Sequence, residues 1–351
     1  MTLNHLILAL AAAGSFSAHA ADSLNLANYS VNGIYSLDVL NGTRGGISGL
    51  EASAVTYAPD RGTLFFVGDE GTGVIEISKT GQTLGYMNFD WTGTGSTKHD
   101  TEGLTYTGNG VLVVGEERLQ DAYQFSYVAN GSATLASSFV SLSNTAVGNN
   151  GMEGISYDAR NGGSFVTIKQ VSPENIQAGS LTFALATGGL PASLPKDGAS
   201  PNGGGASTMQ NLFDPALMGL ASLSDVQTLS GVGTLVGSNA ADNLLVLSLD
   251  SHKLLEVSRA GVIKSSLDLA AIPELSYVVA HNAIEGVTID EKGAIYLVAE
   301  QEQDGIVSDA LARSRLIVLT APVPEPETYA LMAMGLVAVG FAARRRRQPK
   351  A

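Results

Sequence analysis

The 351-residue chain contains no cysteine, a single tryptophan and five histidines, and only 15% of its residues are charged. Without thiols it has no disulfides, no cysteine nucleophile and no thiolate metal site. Zinc is a poor fit as well, because only His99, His252 and His281 lie outside the N-terminal stretch, and zinc sites draw on cysteine and histidine. Positive charge is scarce: 19 Lys and Arg stand against 33 Asp and Glu. Five of those bases lie within residues 344–350, which leaves residues 21–322 with 14 bases, 31 acids and a net charge of −17. Such a body repels nucleic acid and anionic lipid and attracts cations. The chain has neither a Gly-x-Ser-x-Gly elbow nor a Walker loop, so serine-hydrolase and P-loop readings have no support. No long helical periodicity runs through residues 21–322, which argues against a helical bundle.

Both ends read as address labels. The chain opens "MTLNHLILALAAAGSFSAHA", a short apolar run followed by Ala18-His19-Ala20, which predicts a secretory signal peptide over residues 1–20, cut after Ala20 by signal peptidase. The run has His5 but no Lys or Arg before it. At the other end, residues 323–351 hold Pro324-Glu325-Pro326, an apolar stretch from Tyr329 to Ala343 and the block Arg344 to Arg347. As a helix that stretch rises about 22 Å, short for a bilayer core of about 30 Å unless flanking residues snorkel. The arginines would stay cytoplasmic. This three-part order resembles the PEP-CTERM sorting tag. The resemblance implies an exosortase as processing partner, transient membrane anchoring, and delivery to the cell surface or the exterior of a cell that makes exopolysaccharide.

Between the labels the sequence repeats itself. "LEASAVTYAPDRGTLFFVGDE" from Leu50, "TEGLTYTGNGVLVVGEE" from Thr101, "MEGISYDARNGGSFVTIKQ" from Met152 and "IEGVTIDEKGAIYLVAEQ" from Ile284 each place a glutamate before two alternating apolar runs. Glu51, Glu102 and Glu153 lie 51 residues apart, and Glu285 heads the last copy. A fifth copy follows from matching "LFFVGDEGTGVIEISKTG" at Leu64 to "LLVLSLDSHKLLEVSRAG" at Leu244. It spans roughly Leu223 to Leu269, with Asp225 in the glutamate's place. Alternation punctuated by Gly, Asn and Asp marks strands and hairpins, and four-strand units at a period near 50 predict an all-β propeller. A β-sandwich or a β-helix would give no reason for an acid at one place in every unit. The ring has five blades, or six, depending on residues 171–222, which read as a long surface loop. Closure is expected between "YSVNGIYSLDVL" and "SRLIVLT".

The acid-Gly-strand-Asn-Gly-strand-Glu pattern, with "GVIEISKTG" as third strand and "VVGEER", resembles the SdiA-regulated family over most of Ile47 to Thr320. That resemblance implies a propeller of five or six blades with an associated calcium ion.

The repeated acids suggest why. First strands line a propeller's channel, so carboxylates at their start converge and raise one another's pKa unless a cation compensates them. Calcium takes 6 to 8 oxygen ligands at about 2.3–2.6 Å and suits such a ring better than magnesium. The candidate metal ligands are Glu51, Glu102, Glu153 and Glu285, with Asp225 in reserve. The alternative is that these acids cap strand ends or pair with Arg44, Arg118 or Lys169. Asp69, Glu70, Glu116, Glu117, Asp250 and Glu300 form a second acidic set one strand outward. His99 and His281 precede inner strands, and propeller lactonases of the paraoxonase type place histidine beside calcium, so these two are the candidate catalytic bases. The expected protein is thus an exported, monomeric, calcium-binding propeller with a binding or scaffold role toward extracellular polysaccharide or an envelope protein. The alternative is a calcium-dependent esterase, lactonase or phosphoesterase.

Overall fold

The computed structural model describes residues 22–37, 47, 51–143, 147–171, 174–185, 204–301, 314–322 and 335. It divides into two compact units, Met1–Thr320 and Ala321–Ala351. The larger is a ring of five four-stranded blades, which decides between five and six.

From the channel outward, the first blade is Ala52–Ala58, Thr63–Gly68, Gly73–Ile77 and Thr83–Asp90. The second is Thr101–Gly108, Val111–Glu116, Asp121–Ser126 and Phe139–Ser141. The third is Met152–Asp158, Ser164–Lys169, Asn175–Gly179 and Gln210–Asn211. The fourth is Asp225–Thr228, Leu244–Ser248, Lys253–Val257 and Ile263–Asp268. The fifth takes Ile284–Ile289, Ile295–Ala299 and Arg315–Thr320 from the end of the domain and Ser30–Ser36 from its beginning. The antiparallel pairing of Ser30 with Thr320 through Ser36 with Arg315 closes the ring as the sequence predicts. Residues 171–222 depart from the loop reading, since they supply the third blade's two outer strands and a small hairpin of Leu181–Thr182 with Ala206–Ser207. Residues 1–20, Arg44 and the stretch 329–343 apart from Gly335 lie outside the described residues. Among the described residues no helix is long and apolar enough to cross a membrane.

The inner strands of each blade are covered on both faces, whereas outer strands such as Ser30–Ser36 and Ile263–Asp268 are largely exposed. Phe65, Val67, Leu104, Tyr106, Leu112 and Val114 fill the junction between the first and second blades. Val55, Phe66 and Ile75 meet Tyr296, Val298 and Leu316 between the first and fifth. Partly buried ion pairs add to two junctions. Asp290 in the fifth blade accepts from Lys79 Nζ of the first at 2.7 Å, and Asp158 in the third accepts from Arg259 of the fourth at 2.7 Å.

At the axis, neighbouring inner strands are joined by hydroxyls. Thr56 Oγ1 accepts from Tyr106 N at 3.0 Å, Thr105 Oγ1 from Tyr157 N at 2.9 Å, Ser156 Oγ from Thr228 N at 2.9 Å, and Thr288 Oγ1 from Tyr57 N at 3.1 Å. The Glu-Gly motif has its reason at the same place, because the strands come too close for a side chain after the glutamate. A Cβ on Gly286 would lie 2.9 Å from Ser53 O, and one on Gly154 would lie 3.0 Å from Asp225 Cα.

Candidate metal centre

The glutamates point into the channel because the inner strands bulge there. In four blades the pairing of first and second strands skips one residue: Ser53 in the first, Glu102 in the second, Glu153 in the third and Glu285 in the fifth. A bulge re-aims the side chain of the extra residue. Two more levels of acids stand beside the bulges. At the start of the inner strands, Glu51 O, Asp100 O, Gly151 O and Ala283 O accept from Asp69 N, Glu117 N, Gln170 N and Glu300 N. Those bonds fix the equivalences. Glu51 corresponds to Asp100, not to Glu102, and Asp69 corresponds to Glu117 and Glu300.

Two groups of carboxylates bring their oxygens within 4.8 Å of one another: Glu51, Asp69 and Glu70, and Asp69, Asp100 and Glu102. Asp69 belongs to both. Burial, a shared hydrogen bond with Glu51 and the charges of Glu51, Glu70 and Asp100 push its pKa up to about 9. Its Oδ1 is buried and, among the described residues, accepts no hydrogen bond. Burial first, and then the charges of Glu153, Glu285, Asp100 and Glu117, drive Glu102 well above the usual carboxylate range. Glu153 and Glu285 are raised in the same way, each also held against a partner carboxylate, Glu117 and Glu300 respectively. Burial pushes Glu117 up to about 7. Among the described residues, Arg118 Nε donates to Asp100 at 2.6 Å and Lys169 Nζ donates to the backbone oxygen of Val171 at 2.8 Å.

The remaining predicted residues fall elsewhere. The fourth blade has no bulge, and Ser224, not Asp225, stands at the glutamate's position. Asp225 takes the place of the motif's glycine, one residue on. There its buried carboxylate accepts from Val226 N and Val287 N, both at 2.7 Å, tying the fourth blade to the fifth. His99 reaches a groove of about 650 Å³ that Glu70 also lines, with its ring stacked on Trp91 at 4.9 Å. Burial lowers its pKa. His281 ends the short helix α1, Ser276–His281, and packs on Tyr277 at 4.5 Å. Asp250 is exposed.

The sequence pattern of the SdiA-regulated family matches residues 35–302. The chain belongs to the SdiA-regulated family. A PEP-CTERM protein-sorting motif matches residues 322–347, which marks an exported protein sorted to the cell envelope and implies processing by an exosortase. Among solved structures, the chain is similar to a luciferin-regenerating enzyme at 10% identity and a TM-score of 0.42, over 77% of this chain and 91% of that one. The aldose sugar dehydrogenase of Streptomyces coelicolor in its PQQ-bound form gives 10% and 0.45, over 83% and 97%. The Swd1 β-propeller domain of Myceliophteria thermophila gives 9% and 0.35, over 80% and 71%. Likenesses this distant carry no chemistry across, and the SdiA-regulated propeller is defined here by its own strand pairing.

Proposed function

We propose that this exported propeller binds calcium at the acidic mouth of its channel and acts as a binding or scaffold protein at the cell surface or in the extracellular matrix. The observation that carries this reading is the pair of carboxylate groups that share Asp69. The donors are all hard oxygens, more numerous than one small octahedral ion needs, and backed by further acids, the preference of calcium. Apart from the single Arg118 contact to Asp100, protons would have to relieve this buried negative charge, the direction in which the raised pKa values point. Asp69, Glu51, Glu70, Asp100 and Glu102 would hold the ion, with Glu153 and Glu285 beside it on the channel wall. Bound calcium would supply charge compensation and open coordination positions for an oxygen ligand.

The test is thermal unfolding of the protein in chelator, then with calcium and with magnesium. A ligand bound only by the native state adds about 2.7 kcal/mol at a hundredfold excess over Kd. The expected result is a calcium-selective rise in Tm that Asp69→Asn removes. An equal rise with both ions, or none, would overturn the reading. The hydrolase alternative is favoured by one observation, the groove that His99 and Glu70 share. It requires calcium-dependent cleavage of activated esters, lactones or phosphoesters that His99→Gln abolishes.

A further inference from the structure

The channel has a second mouth, at the far ends of the inner strands, and its chemistry is the reverse of the first. All five blades contribute to a cavity of about 250 Å³ there. Tyr57, Pro59, Tyr106, Tyr157, Ala159 and Ile289 supply its apolar surface, and the hydroxyl belt with Gln227 supplies its polar surface. Among the described residues no charged side chain lines it. Thr288 Oγ1 donates to Gln227 Oε1 at 3.0 Å, so that pair is satisfied internally. Thr56 and Thr105 differ: each hydroxyl oxygen accepts a backbone N–H from the next blade, and among the described residues neither hydroxyl donates to a protein acceptor.

We propose that this mouth binds a single ring of a neutral sugar. Size, charge and polarity each narrow the choice. Pockets for drug-sized ligands hold about 300–1,000 Å³, so this one takes one small ring and not a chain of them. An ionic ligand would lose its hydration with no opposite charge to replace it. A wholly apolar ligand would leave the Thr56 and Thr105 hydroxyls without water or a partner, which costs about 1–3 kcal/mol for each buried group. A pyranose has C–H faces to lay on the tyrosine and isoleucine wall and hydroxyls to accept from the threonines. This site needs no metal, so it stands or falls separately from the acidic mouth.

Saturation-transfer NMR on the full chain tests the proposal. The probes are the methyl glycosides of glucose and galactose at millimolar concentration, in chelator, with glucuronate as the charged counterpart. Transfer to the C–H protons of at least one neutral glycoside is expected, and little to glucuronate. Gly231 lines the cavity, and a Cβ there meets nothing within 4 Å, so Gly231→Leu adds bulk at the rim without touching the belt and should weaken the transfer. Ala159→Phe fills it from the third blade and serves if the first variant does not fold. Absence of transfer to both neutral glycosides, stronger transfer to glucuronate, or transfer undiminished in the variants would overturn the proposal.

Discussion

Ser53 sits at the bulge position that Glu102, Glu153 and Glu285 hold in their blades, so the ring of acids is interrupted at the first blade as it is by Ser224 at the fourth, and Glu51 and Asp69 make up the charge at the first from the neighbouring levels. The titration of these groups has a definite sign. A carboxyl whose folded pKa lies above its unfolded value binds more protons when folded, so its contribution is intact below the unfolded pKa and is lost as pH rises through the folded one. Asp69 at about 9 and Glu117 at about 7 set the window. Without metal, Tm should fall as pH rises from about 4 toward 9, and saturating calcium should flatten that slope while releasing protons on binding. A melting series across pH with and without chelator reads both. At Gly286 the constraint is steric: Gly286→Ala pushes a Cβ to 2.9 Å from Ser53 O, and overpacking of this kind should cost about 1–3 kcal/mol in denaturant unfolding. The glutamates, their glycines and their convergence were legible in the sequence, whereas their register was not. The 51-residue spacing aligns Glu51 with Glu102, but the backbone bonds place it with Asp100. A two-residue offset ahead of a bulge leaves no mark on apolar alternation, and for that reason Asp69 and Asp100 were missed as members of the central groups.

At the scale of elements, corresponding glutamates in the third strands of two blades are satisfied by different means. Glu76 in the first blade accepts from Arg61 Nε and Nη2, both at 2.9 Å, and from Thr63 at 2.7 Å. Glu256 in the fourth is fully buried and, among the described residues, has no such arginine. It takes Leu24 N at 2.9 Å and Ser23 Oγ from the start of the domain, together with Asn243 Nδ2 at 2.8 Å. The segment that precedes the first strand is therefore a strap across the fourth blade. Deleting residues 22–25 should cost about 2–3 kcal/mol, the worth of charge-assisted bonds to a buried acid. In a Glu256→Met background the same deletion should cost much less, because no charge is left stranded. A double-mutant cycle by chemical denaturation measures the difference. The match of "VIEISKTG" with "LLEVSRAG" identified both glutamates, but nothing local says which donors each will find. The third blade's outer strands were missed for another reason. Gln210–Asn211 is two residues long, too short to show alternation, and it is reached through a glycine- and proline-rich stretch that reads as loop.

At the scale of the whole molecule, the repeat carried the propeller and the unmatched ends carried its closure. The fifth blade depends on Ser30–Ser36 to cover the edge of Arg315–Thr320. Removing residues 22–36 bares a strand rich in leucine, isoleucine and valine, and exposed edges of that kind recruit other chains. The truncated protein should lose its single cooperative melting transition and elute as oligomers in size-exclusion chromatography, while deletion beyond Thr320 should leave both unchanged.

That closure also sets a timetable. Ser30–Ser36 is among the first segments of the domain to be made and moved, and its partner Arg315–Thr320 is the last. Contacts between such distant segments form late, after the loop between them is closed, so the first strand travels without a mate while four blades take shape. The sorting motif begins at residue 322, two residues after the closing strand ends. The final strand is therefore made and moved immediately ahead of the address label, and a chain presenting its label has only just gained the means to shut its ring.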